Sequence, residues 1–130
     1  MIAPELEERL IAEATRSRGN AVSNRSGFSV GAAIEAEDGR IFGGCNVENS
    51  TYGLTVCAER VAIWKALSEG VRKFRAVAVV TGADTPTPPC GACRQILWEF
   101  AGDVPVVSAT TAGRRKTYRM ADLLPEPFEF

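Results

Sequence analysis

Cys57-Ala58-Glu59 and, further along, Pro89-Cys90-Gly91-Ala92-Cys93 constrain this chain more than anything else in it. The first triplet offers a soft metal ligand and, two residues on, a carboxylate. The second offers two thiols at a spacing that lets one helix start grip one ion. If all three thiols bind one cation, the fold must bring two distant helix starts together. Three protein ligands leave one corner of a zinc tetrahedron open, which is the arrangement of catalytic rather than structural zinc sites. The pattern points to a zinc hydrolase.

Histidine is absent from all 130 residues. That removes every mechanism that uses imidazole as base, nucleophile partner or metal ligand. A catalytic zinc must therefore be held by thiolates or carboxylates, and acid–base work falls to a carboxylate. Glu59 is the candidate: beside the metal without ligating it, it could take a proton from water and deliver it to a leaving amine. Its plain alternative is a helix N-terminal Glu stabilised by the dipole. Zinc with three thiolates carries net negative charge, which calls for a nearby cation. Arg60 and Arg94 adjoin the motifs, and Arg60 is the candidate for charge balance; its plain alternative is a surface helix arginine.

Two other uses of the cysteines compete. Cys90 and Cys93 alone could form a redox dithiol, which leaves Cys57 and Glu59 unexplained. Cys45 with Cys57, Cys90 and Cys93 could form a closed structural zinc site. Against this, Cys45 falls within a predicted strand, where a free cysteine is often a small buried hydrophobe.

Hydrophobic residues make up 45% of the sequence and charged residues 24%, ordinary globular usage that excludes disorder. The length predicts a single domain spanning residues 1–130. A net charge of -1 gives no electrostatic case for nucleic-acid binding, and Arg114-Arg115-Lys116 reads as a solvated turn. No apolar run approaches the roughly 20 residues of a membrane span. The opening MIAPELEERL has acids where a signal peptide has basic residues, so a cytoplasmic location with reduced thiols is expected.

The element pattern is alternating. Residues 4–18 predict an amphipathic helix, with Leu6, Leu10 and Ala14 on one face and Gly19-Asn20 as its stop. Residues 28–35 and 40–46 predict two strands joined through the Asp38-Gly39 turn. A helix follows from Cys57 to about Glu69, then a buried strand over 74–81 and a Pro- and Thr-rich loop. A helix from Cys90 to Phe100 with Ile96, Leu97 and Phe100 inward, a strand over 104–109, a weaker strand near 116–119 and a last helical turn at 121–124 complete it. This order predicts an α/β fold with a mixed sheet of about five strands and helices on its faces.

CAE followed by PCGAC matches the zinc nucleoside and nucleobase deaminase signature in its three-cysteine form. With FSVGAA, GRIFGGCNVENSTYGLTVCAER, PCGACRQ and LLPEPF, the chain resembles the short, homotetrameric cytidine deaminases over residues 28–128. The resemblance implies their three-layer α-β-α fold, one Zn²⁺ per subunit, and hydrolytic deamination of cytidine or deoxycytidine. It implies Cys57, Cys90 and Cys93 as zinc ligands and Glu59 as proton shuttle. Phe28 would pack on the base, Asn46 and Glu48 would bind the ribose hydroxyls, and the backbone at Ala58 would read the pyrimidine edge. Arg60 would offset thiolate charge. Tyr52 and Phe128 would reach the active site of a neighbouring subunit. A deaminase of a modified cytosine nucleoside, such as blasticidin S, and a structural zinc-binding protein are the alternatives.

One segment departs from the family pattern of tyrosine-serine-x-phenylalanine-proline: here it is Arg25-Ser26-Gly27-Phe28-Ser29. The lost aromatic, the lost proline and the added Gly imply a wider or looser rim to the base pocket, and with it acceptance of substituted cytosines.

Overall fold

The computed structural model describes residues 1–129. Its elements run α1 (Pro4–Arg18), β1 (Val30–Ala36), β2 (Ile41–Cys45), a single 3₁₀ turn at Tyr52–Leu54, α2 (Ala58–Ser68), β3 (Phe74–Thr81), α3 (Gly91–Ala101), β4 (Pro105–Thr110), β5 (Arg115–Arg119) and the short α4 (Met120–Leu123). The five strands form one sheet in the order β2-β1-β3-β4-β5. β3 and β4 are parallel, as the α3 crossover between them requires, and the other neighbours are antiparallel. The expected mixed sheet is thus observed.

Strand periodicity sorts the core into two layers. Ala32 and Ile34 of β1 and Val77 and Val79 of β3 pack with Ala62, Ile63 and Ala66 of α2 and Leu97 of α3. The alternate residues Ala33, Ala76, Ala78 and Val80 pack on the other face, against Leu10 and Ala14 of α1. The result is the expected three-layer α-β-α arrangement. Each fully buried Leu or Ile in these layers contributes about 1.5–3 kcal/mol.

Small residues set how closely α2 approaches the sheet. A Cβ on Gly44 would sit 2.6 Å from the Ala58 carbonyl and 2.6 Å from the Ala62 nitrogen. No side chain fits there, so β2 runs directly under the first turns of α2. That contact fixes the height of the Cys57-Ala58-Glu59 segment above the sheet.

Gly19 closes α1 as expected, in right-handed geometry (φ -62, ψ -17), and a run of tight turns follows. Two local expectations are corrected. Phe100 is 37% exposed; the inward stripe of α3 is Cys93, Leu97 and, partly buried, Ala101, at i, i+4 and i+8. The basic run is exposed, as expected, but it follows the turn and enters a strand rather than forming the turn itself. Arg115 opens β5 and binds Glu7 and Glu8 of α1, and Arg114 Nη1 donates to the Asp84 carbonyl at 3.0 Å.

Candidate functional site

Cys57 and Cys90 are both N-cap residues with extended backbone, at φ -79, ψ 154 and φ -67, ψ 168. Each helix starts one residue later, and neither thiol caps its own helix. The sulfurs turn to each other instead. Cys57 Sγ lies 3.8 Å from Cys90 Sγ, and Cys90 Sγ lies 3.4 Å from Cys93 Sγ. All three sulfurs fall within 4.8 Å of one another, from one intermediate, one exposed and one buried residue. Zinc–sulfur bonds of about 2.3 Å at tetrahedral angles require sulfur separations of about 3.8 Å. The triangle fits a single zinc ion. Cys45, at the end of β2, lies outside this cluster.

Electrostatics support the same reading. The hydrogen bond from Cys93 and the Arg60 guanidinium lower the Cys57 thiol to about 5. The bond to Cys57 and burial together push the Cys93 thiol up. The triangle thus favours one thiolate on its own, and a cation is needed to ionise the rest. Arg60 Nη2 donates to Cys57 Sγ at 3.2 Å, and its guanidinium lies 5.8 Å from the Trp64 ring centroid. Arg94 does different work: it donates to the Pro89 carbonyl at 2.6 Å and the Leu123 carbonyl at 2.8 Å, tying the start of α3 to α4.

A cleft of about 290 Å³ opens beside the sulfurs. Val30 and Val79 are apolar lining residues; Phe28, Cys57, Ala58, Glu59 and Cys90 also line it. Glu59 is only 5% exposed, and burial raises its carboxyl to about 7. A carboxyl of that kind changes protonation state near neutrality, the condition for a proton carrier. Ala58 is fully buried at the first position of α2.

Asn46 and Glu48 reach the cleft from the end of β2. Asn46 is buried; its Oδ1 accepts from Val30 N–H at 2.9 Å and its Nδ2 donates to the Phe28 carbonyl at 2.9 Å. This side chain therefore holds Phe28 in place. Glu48 Oε1 accepts from the backbone N–H groups of Arg25 (3.0 Å) and Ser26 (2.9 Å), and Oε2 accepts from the Ser26 hydroxyl. The departing segment is thus tied down rather than loosened. Arg25 also donates to Ser50 Oγ at 3.0 Å and lies over the Tyr52 ring. Gly27, at φ +69, supplies the left-handed step, and a side chain there would meet nothing within 4 Å.

Tyr52 and Phe128 are 74% and 71% exposed, and neither lines this chain's cleft. Sequence reasoning missed Ser26, Thr55, Val56, Thr87 and Pro88, which do line it. For Ser26 a signal existed. A Ser two residues before Phe28 has the spacing of a serine turn, and Phe28 N–H does donate to Ser26 Oγ at 3.0 Å.

Residues 4–110 match the family described as the cytidine and deoxycytidylate deaminase zinc-binding region. The chain belongs to this deaminase family. A cytidine deaminase of Sporosarcina psychrophila is 50% identical over 122 residues, 93% of this chain and 90% of the relative. One from Halalkalibacterium halodurans is 44% identical over 93% of this chain and 92% of the relative. The crystal structure of cytidine deaminase from Burkholderia pseudomallei superposes with a TM-score of 0.90 at 44% identity, covering 93% of this chain and 98% of that one. Its counterpart from Mycobacterium tuberculosis gives 0.81 at 39% identity, covering 95% and 98%.

Membership of the deaminase family accounts for the architecture and the metal together. The α-β-α fold is that of the solved cytidine deaminases. The family's zinc-binding region and the sulfur triangle fit one Zn²⁺ in this subunit. These relatives give no support to the modified-nucleoside or structural-zinc alternatives. No helix among the described residues is long and apolar enough to cross a membrane.

Proposed function

We propose that the protein hydrolyses cytidine and deoxycytidine to the uracil nucleosides and ammonia, with Cys57, Cys90 and Cys93 holding zinc and Glu59 carrying the proton. The observation that carries this reading is a cluster of three sulfurs, two of them from residues lining one cleft, with a buried carboxyl lining the same cleft. Zinc, when bound, supplies a Lewis acid that makes water nucleophilic near neutral pH. Glu59 accepts one proton from the attacking water and passes it to the ring nitrogen of the base, then takes the second proton from the same oxygen and delivers it to the amine as ammonia leaves. Its burial keeps bulk water from competing for that proton. Arg60 offsets the thiolate charge through Cys57.

Phe28 packs on the base, steadied by Asn46, and Glu48 takes the sugar hydroxyls. The Ala58 backbone at the start of α2 reads the pyrimidine edge. Tyr52 and Phe128 complete the cleft of a neighbouring subunit in a homotetramer; their exposure away from this chain's own cleft supports that role. We place the enzyme in the cytoplasm, as a single domain acting on free nucleosides in pyrimidine salvage rather than on nucleic acid, which accords with its net charge of -1. Acceptance of substituted cytosines is proposed from the changed 25–29 sequence, since Gly27 itself does not line the cleft.

The test is an ultraviolet assay of the zinc-loaded protein against cytidine, deoxycytidine and N4-substituted cytidines, with ammonia measured in parallel. Equal amounts of uridine and ammonia are expected from cytidine. No conversion of any cytosine nucleoside would rule the reading out; rejection of every substituted substrate would rule out only the relaxed specificity.

A further inference from the structure

The two residues after Cys93 both reach the C-terminal segment. Arg94 Nη1 donates to the Leu123 carbonyl at 2.8 Å, and Gln95 Nε2 donates to the Phe128 carbonyl at 2.9 Å. The chain between these two carbonyls is stiff. Pro125 and Pro127 each fix one backbone torsion. Glu126, between them, sits at φ 52, the only non-glycine residue with positive φ among the described residues. A residue before a proline is ordinarily extended, so this conformation is strained and persists only where the surroundings hold it. The two α3 side chains hold it at either end. Phe128 is thus fastened by its main chain, while the residue is 71% exposed and does not line this chain's cleft. Trp98 and Glu99, at i+3 and i+4 from Gln95, line a surface hollow together with Phe128. The face of α3 that carries Gln95 therefore carries the C-terminal segment.

We propose that Gln95 is a positioning residue for the adjoining subunit: it fixes the Phe128 main chain so that the ring is presented, already ordered, to a neighbour's cleft. The inference rests on the reading above that Phe128 completes a neighbouring subunit's cleft. An aromatic on a loose chain end loses conformational freedom when it closes on a ligand, and one already fastened loses less. Gln95 does that ordering before the nucleoside arrives. Its effect is therefore on binding, and it acts in trans. A defect at one subunit's Gln95 shows in the next subunit's KM, while its own Cys90, Cys93 and Glu59 keep their places.

The experiment measures KM and kcat for cytidine, and zinc content, in the zinc-loaded oligomers of wild type, Phe128→Ala, Gln95→Met and Gln95→Glu. Both Gln95 changes keep the side-chain length and remove the donor. Each raises KM about tenfold, the scale of one lost hydrogen bond, with kcat and zinc content unchanged. Gln95 is half-buried, and either variant serves if the other does not fold. Subunits of the folded Gln95 variant are then co-assembled with an excess of Glu59→Gln subunits. Only the Gln95 variant subunits carry a working Glu59, and their neighbours carry an intact Gln95. KM of this mixed oligomer returns to near the wild-type value. An unchanged KM in a folded Gln95 variant overturns the proposal. So does a KM that stays raised in the mixed oligomer, or a loss of zinc in place of the KM change. If Phe128→Ala leaves KM unchanged, the reading of Phe128 itself has failed, and this inference with it. A raised KM in Phe128→Ala beside an unchanged Gln95 variant sinks this inference alone.

Discussion

Arg60 Nη2 lies 3.2 Å from Cys57 Sγ, which couples the residue after the candidate proton carrier to a candidate metal ligand. The guanidinium also lies over the Trp64 ring, 5.8 Å from its centroid. Removing it would leave the net negative charge of zinc with three thiolates unbalanced and a bound water less acidic. Arg60→Ala is expected to lower kcat by about 10–100-fold, with a smaller change in KM. Full turnover and unchanged zinc retention would show Arg60 to be an ordinary helix arginine.

Zinc removal should silence the enzyme without unfolding it. The two core layers are built from Leu10, Ile34, Ile63, Val79, Leu97 and their neighbours, and only Cys93 of the three thiols is buried. Chelation is expected to abolish deamination while far-ultraviolet circular dichroism keeps its native shape, and added zinc should restore activity. Unfolding on chelation would mean that the metal holds the fold together instead.

Gly44 links the sheet to the metal site. The nearest atoms an added methyl would meet are backbone atoms of Ala58 and Ala62, which cannot swing away. Gly44→Ala is expected to cost about 1–3 kcal/mol by overpacking. Because the strained atoms belong to the first turns of α2, zinc affinity should fall too. Calorimetry and a zinc competition assay would measure both, and a variant as stable as the wild type would contradict the packing described for α2.

A pH effect follows from Glu48. The Ser26 hydroxyl, followed by the Ser26 and Arg25 amides, holds this carboxyl below its ordinary value of 4.5. These bonds favour the charged form, so they are fully present above that value and are lost as pH falls through the lower folded one. The ratio of KM for cytidine between Glu48→Gln and wild type should stay constant from neutrality down to about 4.5 and fall only below it. KM of Glu48→Gln should be the higher of the two above that pH. A ratio that shifts between pH 7 and 5 would contradict this role for Glu48.

Local patterns made much of this legible in the sequence. The apolar face of α1 and the β-branched run of β3 give the bounds 4–18 and 74–81 that the structure shows, because each signal spans the whole element. The sulfurs and Glu59 were readable because ligand chemistry demands their spacing. Long-range choices were not readable. Arg115 finds Glu7 and Glu8 across the whole chain, and nothing local distinguishes it from a turn arginine. Ser26 was missed because its role depends on the 25–28 segment folding over Glu48. Arg25 and Gly27 suggested a loose rim, whereas the main chain between them is bonded to that same carboxylate.

Glu59→Gln tests the central claim most directly, since the change keeps size and removes only the ability to carry a proton. Wild type and variant, each loaded with zinc and assayed for it, would be compared for uridine formation from cytidine. The account predicts equal zinc content, an unchanged fold and at least about a hundredfold loss of kcat, the scale of general acid–base catalysis. Turnover near the wild-type rate in a zinc-replete variant would contradict it.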